Sequence, residues 1–177
     1  KESGEDSKNH FFYQLNKKIN YLNFEDGDID FKIQKTSNDT YLRAKKLKSP
    51  IIDNKEFLES SINIDLYSED FSLRSELTIY EDLNKNHSDR YEFILPRIDI
   101  TKKIDNKTNL DGNFLFKSNN LIRNYETNIF EKTNINELIF NSNSKITNGG
   151  IVNSYDFKLK NINSDTQNSS SYKENDN

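Results

Sequence analysis

The sequence predicts an all-β fold, an antiparallel up-and-down meander of strands. Three observations predict it. Apolar residues recur at every second position in run after run, as in DIDFKIQK over residues 28–35. The runs are separated by short clusters of Asn, Asp, Ser and Gly. No long helical pattern or crossover-length link intervenes, so consecutive strands are expected to pair with their neighbours.

Composition sets the outer bounds. The 177 residues suffice for one domain. Only 32% are hydrophobic and 31% are charged, with a mean hydropathy of -0.95, which is poor material for a compact soluble core. A net charge of -4 and 12% aromatic residues argue against a disordered chain. Met is absent, so the sequence reads as an internal piece of a larger protein, and the lack of a signal peptide carries no information about compartment. No apolar run is long enough for a transmembrane helix. With no Cys, disulfides, thiolate metal sites and a Cys nucleophile are excluded within this piece. A pI near 5.3, with Lys mixed among Asp and Glu, does not favour a nucleic-acid partner. The abundance of Asn, Lys and Ile matches an AT-rich coding bias, which dilutes any signal from Asn or Lys alone.

Residues 1–10 and 164–177 are polar and expected to be loops or disordered ends; residues 11–163 hold the meander. The first run, FFYQLNKKINYL, places Phe11, Tyr13, Leu15, Ile19 and Tyr21 on one parity. Phe12, Leu15, Ile19 and Leu22 also fit a helical stripe, and the strand is the favoured reading. EDGD, residues 25–28, suits a hairpin turn before DIDFKIQK, where Ile29, Phe31 and Ile33 share a face. TSNDTYLRAKKLKSP interrupts the pattern and ends at Pro50. SSINIDLYS then aligns Ile62, Ile64 and Leu66, and FSLRSELTIYEDL aligns Phe71, Leu73, Leu77 and Ile79, with SED as a tight link between them. NKNHSD, residues 84–89, is a longer loop. NLDGNFLFKS follows a DNKT turn. After SNN comes a long stretch, LIRNYETNIFEKTNINELIFNS. Asn148, Gly149 and Gly150 supply the positive φ angles of a hairpin end, after which Tyr155, Phe157 and Leu159 share a face with Ile151.

SDRYEFILPRIDI, residues 88–100, poses a separate problem. Tyr91, Phe93 and Leu95 carry one apolar parity, and Ile98 and Ile100 carry the other. A one-residue slip turns every side chain to the opposite face unless a bulge absorbs the extra residue. Proline inside a sheet is confined to edges, strand starts and bulges. A bulge at Pro96 that keeps both halves in one apolar phase is the simplest reading; a strand ending at Leu95 and a new one beginning is the alternative.

A meander with one apolar face must bury it against a second sheet, a helix layer or lipid. No helices are in view. Strands of about 9–11 residues that alternate apolar-out and polar-in match the pattern of an outer-membrane barrel.

Three elements resemble a known family. TSNDTYLR, residues 36–43, is similar to an SD-x-T-Y-L-R element, and RYEFILPRIDI, residues 90–100, to an R-Y-x-x-x-L-P strand. The third is NYETNIFEKTNINELIFNS, followed by KNINSDTQNSSSYK. Together they resemble alphaproteobacterial members of the LptD family of lipopolysaccharide-assembly proteins, also called organic solvent tolerance proteins, and the resemblance covers about Phe11 to Lys173. The resemblance implies part of the first half of a barrel of about 26 strands, in the Gram-negative outer membrane. It implies a plug lipoprotein of the LptE type and a lateral opening. A periplasmic jellyroll outside this chain would receive lipopolysaccharide from an LptA-type bridge. The family-like positions are Asp39, Thr40, Tyr41, Leu42, Arg43, Arg90, Tyr91, Leu95 and Pro96.

No catalytic, cofactor or metal site is expected. His10 and His87 sit in polar segments outside any HExxH-like context. Glu25, Asp26, Asp28 and Asp30 around Gly27 lack the ligand order of an EF-hand, and a solvated turn is the better reading. Asn38-Asp39-Thr40 and Asn106-Lys107-Thr108 match a glycosylation sequon, as an Asn-rich chain does by chance. Asp39 is expected to cap a short turn with its carboxylate, and Arg43 to pair with lumen carboxylates. That loop either contacts plug or substrate or, more simply, fixes strand register. The rival classes are a soluble or cell-surface β-sandwich or β-solenoid binding module, and an extracellular enzyme on a β scaffold, for which no convincing carboxylate pair is present.

Overall fold

The computed structural model describes residues 9–20, 24–45, 56–85, 87–125 and 128–169. Tyr21, Leu22, Pro50 and most of the two polar ends lie outside the described residues. Eight strands form one antiparallel sheet in the order β1-β2-β3-β4-β5-β6-β7-β10. They are β1 (His10–Lys18), β2 (Asp26–Thr36), β3 (Phe57–Tyr67), β4 (Phe71–Asp82), β5 (Tyr91–Ile104), β6 (Gly112–Tyr125), β7 (Ile129–Ser142) and β10 (Asp156–Gln167). A small hairpin of β8 (Lys145–Ile146) and β9 (Val152–Asn153) is inserted between β7 and β10. One short helix, α1 (Tyr41–Lys45), and a 3-10 turn at His87–Arg90 complete the described elements. The meander expected from the alternation is therefore present, as an open sheet whose edges are β1 and β10.

Directly opposed residues on paired strands share a face, so the registers divide the sheet into a front and a back. Leu15 opposes Phe31, which opposes Ile62, which opposes Leu77. The front of β1–β5 is thus continuous and apolar. Tyr13, Leu15, Ile62, Leu77, Ile79 and Leu95 are exposed on it, and no second layer covers them among the described residues. The dry core is correspondingly small. Leu42, Leu58 and Leu83 are buried together at one end, with Phe12 packed against them.

The bulge at Pro96 is observed. Glu76 opposes Arg97 and Thr78 opposes Ile94, so Leu77 alone faces both Leu95 and Pro96. The same slip recurs against β6, where Ile94 opposes Arg123 and Arg97 opposes Leu121. β5 lies inside the sheet, and proline, which has no N–H, falls where pairing is interrupted on both sides. The Leu95–Pro96 peptide is cis. The slip brings Phe93, opposite Ile79, and Ile98, opposite Ser75, to the same front face.

Several boundaries differ from expectation. EDGD is not the first turn: Asp26, Gly27 and Asp28 already belong to β2. Ile19 N donates to Gly27 O at 2.7 Å, and a Cβ at Gly27 would sit 2.9 Å from Ile19 and from Leu66 Cδ2, so only glycine lets the turn close here. SNN is not a break: Ser118, Asn119 and Asn120 lie mid-strand in β6, and the long stretch after them divides at residues 126–128 into the end of β6 and all of β7. β10 runs on to Gln167, beyond the expected limit at residue 163. Of the two hairpin glycines, Gly150 takes the positive φ, +79°. Ile151 lies between β8 and β9, while Phe157 and Leu159 lie on β10.

Candidate functional site

The candidate site is the open sheet itself, with the cap at one end. On the back of β2–β6, charged side chains form a ladder. Arg74 Nε donates to Asp65 Oδ1 at 2.7 Å, and Arg97 Nη1 to Glu76 Oε2 at 2.8 Å. Arg123 Nε donates to Glu92 Oε1 at 2.7 Å, and Lys32 Nζ to Glu59 Oε2 at 3.1 Å. Between them Ser61 and Thr78 are buried under longer neighbours. Clefts of about 450 Å³ open on the back, two of them over this ladder. One is lined by Asn16, Asp28, Asp30, Asn63, Asp65, Arg74 and Glu76. The other includes Phe57, Tyr80, Glu92, Arg123 and Tyr125, with the Arg123 guanidinium 4.0 Å over the Tyr125 ring. The acidic residues around Gly27 are thus divided: Asp28 and Asp30 line the first of these clefts from a strand rather than a turn. Among the described residues no group of three or more His, Cys, Asp or Glu is placed to hold a metal ion.

The front changes along the sheet. One straight rung of opposed residues runs Lys17, Ile29, Ile64, Ser75, Ile98, Asn120, Asn134, Asn163 from β1 to β10. It begins on a lysine, crosses the apolar belt and ends on three asparagines. On β1 the belt is centred on Tyr13, four residues from that rung in one direction. On β10 it is centred between Phe157 and Leu159, five residues away in the other. The belt shifts by roughly nine residues over seven strand-to-strand steps, which at about 3.4 Å per residue and about 4.8 Å per step is a slope of roughly 40°.

The two family-like motifs meet at the end that carries α1. Arg90 Nη2 lies 2.6 Å from Asp39 Oδ1 and 2.6 Å from Glu81 Oε1. Tyr91 Oη donates to Glu81 Oε1 at 3.1 Å. The hydrogen bond from Arg90 holds the Asp39 carboxyl below its usual range despite partial burial, and the same bond pushes the Arg90 guanidinium up. Asp39 is therefore not the cap. Asn38 takes that role, its Oδ1 accepting from Thr40 N at 3.0 Å and Thr40 Oγ1 at 2.8 Å. Leu42 is fully buried in the small core. Arg43 does not reach the strand carboxylates on the back; its Nη1 bonds Asn84 Oδ1 at 3.1 Å and lies 3.8 Å from Glu56. The side chain of Tyr41 lies outside the described residues, as does that of His87. His10 opens β1 beside the Phe12 ring. Leu95 and Pro96 sit apart from the cap, in the bulge.

The DNKT turn is present: Asn106 Oδ1 accepts from Thr108 N at 2.9 Å and from Thr108 Oγ1 at 2.6 Å, as Asn38 does for Thr40, so both sequon-like triplets have a turn to make. The sequence reading misses an amide cluster on the front of β6, β7 and β10. Its signal was legible as the tripeptide NIN, present at residues 134–136 and again at 161–163. Comparison with family models, with curated proteins and with solved structures returns no match.

Proposed function

We propose that the chain is a wall segment of a large outer-membrane β-barrel that passes lipopolysaccharide to the outer leaflet, as its resemblance to the LptD family implies. The observation that carries this reading is the sloping belt. A barrel strand tilts by about 35–45° from the barrel axis, so a belt level with the membrane must cross the strands at that slope. The front then meets hydrocarbon, and the ionic back lines a hydrated lumen with room for a plug lipoprotein and for the sugars and phosphates of the substrate. Closure requires further strands on β1 and β10, because their free N–H and C=O groups would otherwise lie unpaired in lipid. Lipopolysaccharide would come from a periplasmic bridge through a jellyroll outside this chain, with energy supplied at the inner membrane.

The test uses fluorescent labels on single cysteines in the intact protein, reconstituted in bilayers. Labels at Ile62 and Leu77 on the front should be quenched by nitroxides on lipid acyl chains. Labels at Asn63 and Thr101 on the back should be quenched by aqueous iodide alone. Front labels open to iodide and blind to lipid nitroxide would point instead to a soluble or surface-exposed binding module. A photo-crosslinking residue at Asn63 should trap lipopolysaccharide in cells; none trapped at any back position would remove the substrate assignment.

A further inference from the structure

We infer that the front of the sheet leaves the hydrocarbon part-way along β6, β7 and β10, and that the amide cluster there faces the lipid headgroup layer. The inference rests on the barrel reading and adds the boundary. Below the boundary stand Phe114, Phe116, Leu138, Phe140, Phe157 and Leu159, opposed across the three strands. One rung further, Ser118, Asn136 and Asn161 oppose one another; on the next, Asn120, Asn134 and Asn163 do. No continuous apolar row resumes beyond them, since Ile122 opposes Lys132 and Lys132 opposes Asp165.

Four of these residues close a ring of hydrogen bonds. Ser118 Oγ donates to Asn136 Oδ1 at 2.7 Å, Asn136 Nδ2 to Asn134 Oδ1 at 2.6 Å, Asn134 Nδ2 to Asn120 Oδ1, and Asn120 Nδ2 to Ser118 Oγ at 3.2 Å. Beside the ring Asn163 Nδ2 donates to Asn161 Oδ1 at 2.6 Å. An asparagine amide has two donors and two acceptor lone pairs. The ring uses one donor and one acceptor of each, and Asn120 adds only a long contact to Ile98 O at 3.5 Å. The remaining polar capacity is costly to leave unmet in hydrocarbon. It is met by water and by the hydroxyl and amide groups of headgroups. The cluster carries no charge, and the nearest charges on this face, Lys132 and Asp165, oppose each other. It therefore suits neutral, hydroxyl-rich headgroups rather than a phosphate-dense layer. Its direct continuity with the belt fixes the occupant as lipid.

The boundary predicts different depths for two positions on one rung. Ile64 and Asn163 stand on the same rung, and Leu159 stands four residues from Asn163 along β10. In the intact protein in bilayers, labels at Ile64 and Leu159 should be quenched by acyl-chain nitroxides. A label at Asn163 should lose that quenching and respond to a headgroup nitroxide and to aqueous iodide. Asn161→Cys reads the same boundary should Asn163→Cys fail to assemble. Three outcomes at Asn163 overturn the inference: acyl-chain quenching equal to Ile64, response to iodide with none to the headgroup nitroxide, and silence to all three quenchers, which would mean protein covers the cluster. If Ile64 and Leu159 are themselves blind to acyl-chain nitroxides, the barrel reading fails first.

Discussion

Strands β1–β5 and strands β6, β7 and β10 share one sheet and one pattern of pairing, yet they distribute their side chains differently. In the first group the two faces are segregated along the strand length, with Ile and Leu in front and paired ions behind. In the second group the front is divided lengthwise, Phe and Leu at one end and amides beyond. The back of the second group mixes Leu121, Ile135 and Ile162 with charges such as Glu137, which takes Lys158 at 2.9 Å and Lys160 at 3.2 Å. Alternation decides which face a residue occupies; register decides how deep on that face it lies. The apolar belt shifts along successive strands, lying mid-strand in one group and only at the strand end in the other.

The largest difference between the two groups is expected when the same charge is placed on both. On the barrel reading, Leu77→Arg puts a guanidinium in the hydrocarbon belt and should destabilise the protein in bilayers by about 3 kcal/mol, whereas Asn120→Arg, outside the belt, should cost about 1 kcal/mol or less. Urea unfolding in lipid bilayers measures both. Equal costs would mean that the two fronts meet the same solvent, and the slope would lose its meaning. The next effect tests the corner that only the first group possesses. Leu42 is fully buried against Leu58 and Leu83. Leu42→Ala should cost about 2 kcal/mol, the low end for a buried leucine because the cluster is small. Hydrogen exchange should show the loss near α1 and β3 and leave β7 and β10 unchanged.

Much of the first group was legible in the sequence because its signal is local. Ile29, Phe31 and Ile33 declare their face within five residues, and the parity change across Pro96 makes a bulge the simplest reading before any partner strand is known. The second group was harder to read. SNN looked like a break because Ser and Asn favour turns, but in β6 they are held in the strand by the ring to Asn134 and Asn136 across the sheet. EDGD reads as a turn because Asp and Gly favour turns, and the placement of Gly27 depends on a backbone contact from Ile19. Asp39 was assigned a cap that Asn38 performs, because its actual partner, Arg90, lies 51 positions away. Turn chemistry is written in neighbouring residues; registers and distant ion pairs are not.

The ring offers a smaller test. Asn136→Ala removes the acceptor of Ser118, which is buried, and should cost about 1 kcal/mol, while Asn161→Ala, outside the ring and exposed, should cost well under that. Thermal or urea unfolding of the two variants side by side separates them. A result with the order reversed would show that the edge of β10, not the ring, carries the stability of the amide cluster.

The smallest expected effect belongs to the latch between Asp39 and Arg90, which joins the loop after β2 to the start of β5. The carboxyl of Asp39 is held below its usual value by the hydrogen bond from Arg90. Its stabilisation is therefore fully present above the unfolded value, about 3.9, and is lost as pH falls through the lower folded value. Asp39 is half-exposed, so solvent screens the pair and the effect is small. The wild-type cap should loosen only in acid, below the ordinary carboxylate range, and Asp39→Asn should remove that acid dependence while leaving Glu81 on Arg90. Amide exchange at Leu42 followed against pH measures it. Identical profiles for wild type and Asp39→Asn would show that Glu81 alone holds Arg90, and that the meeting of the two motifs is set by Leu42 packing rather than by charge.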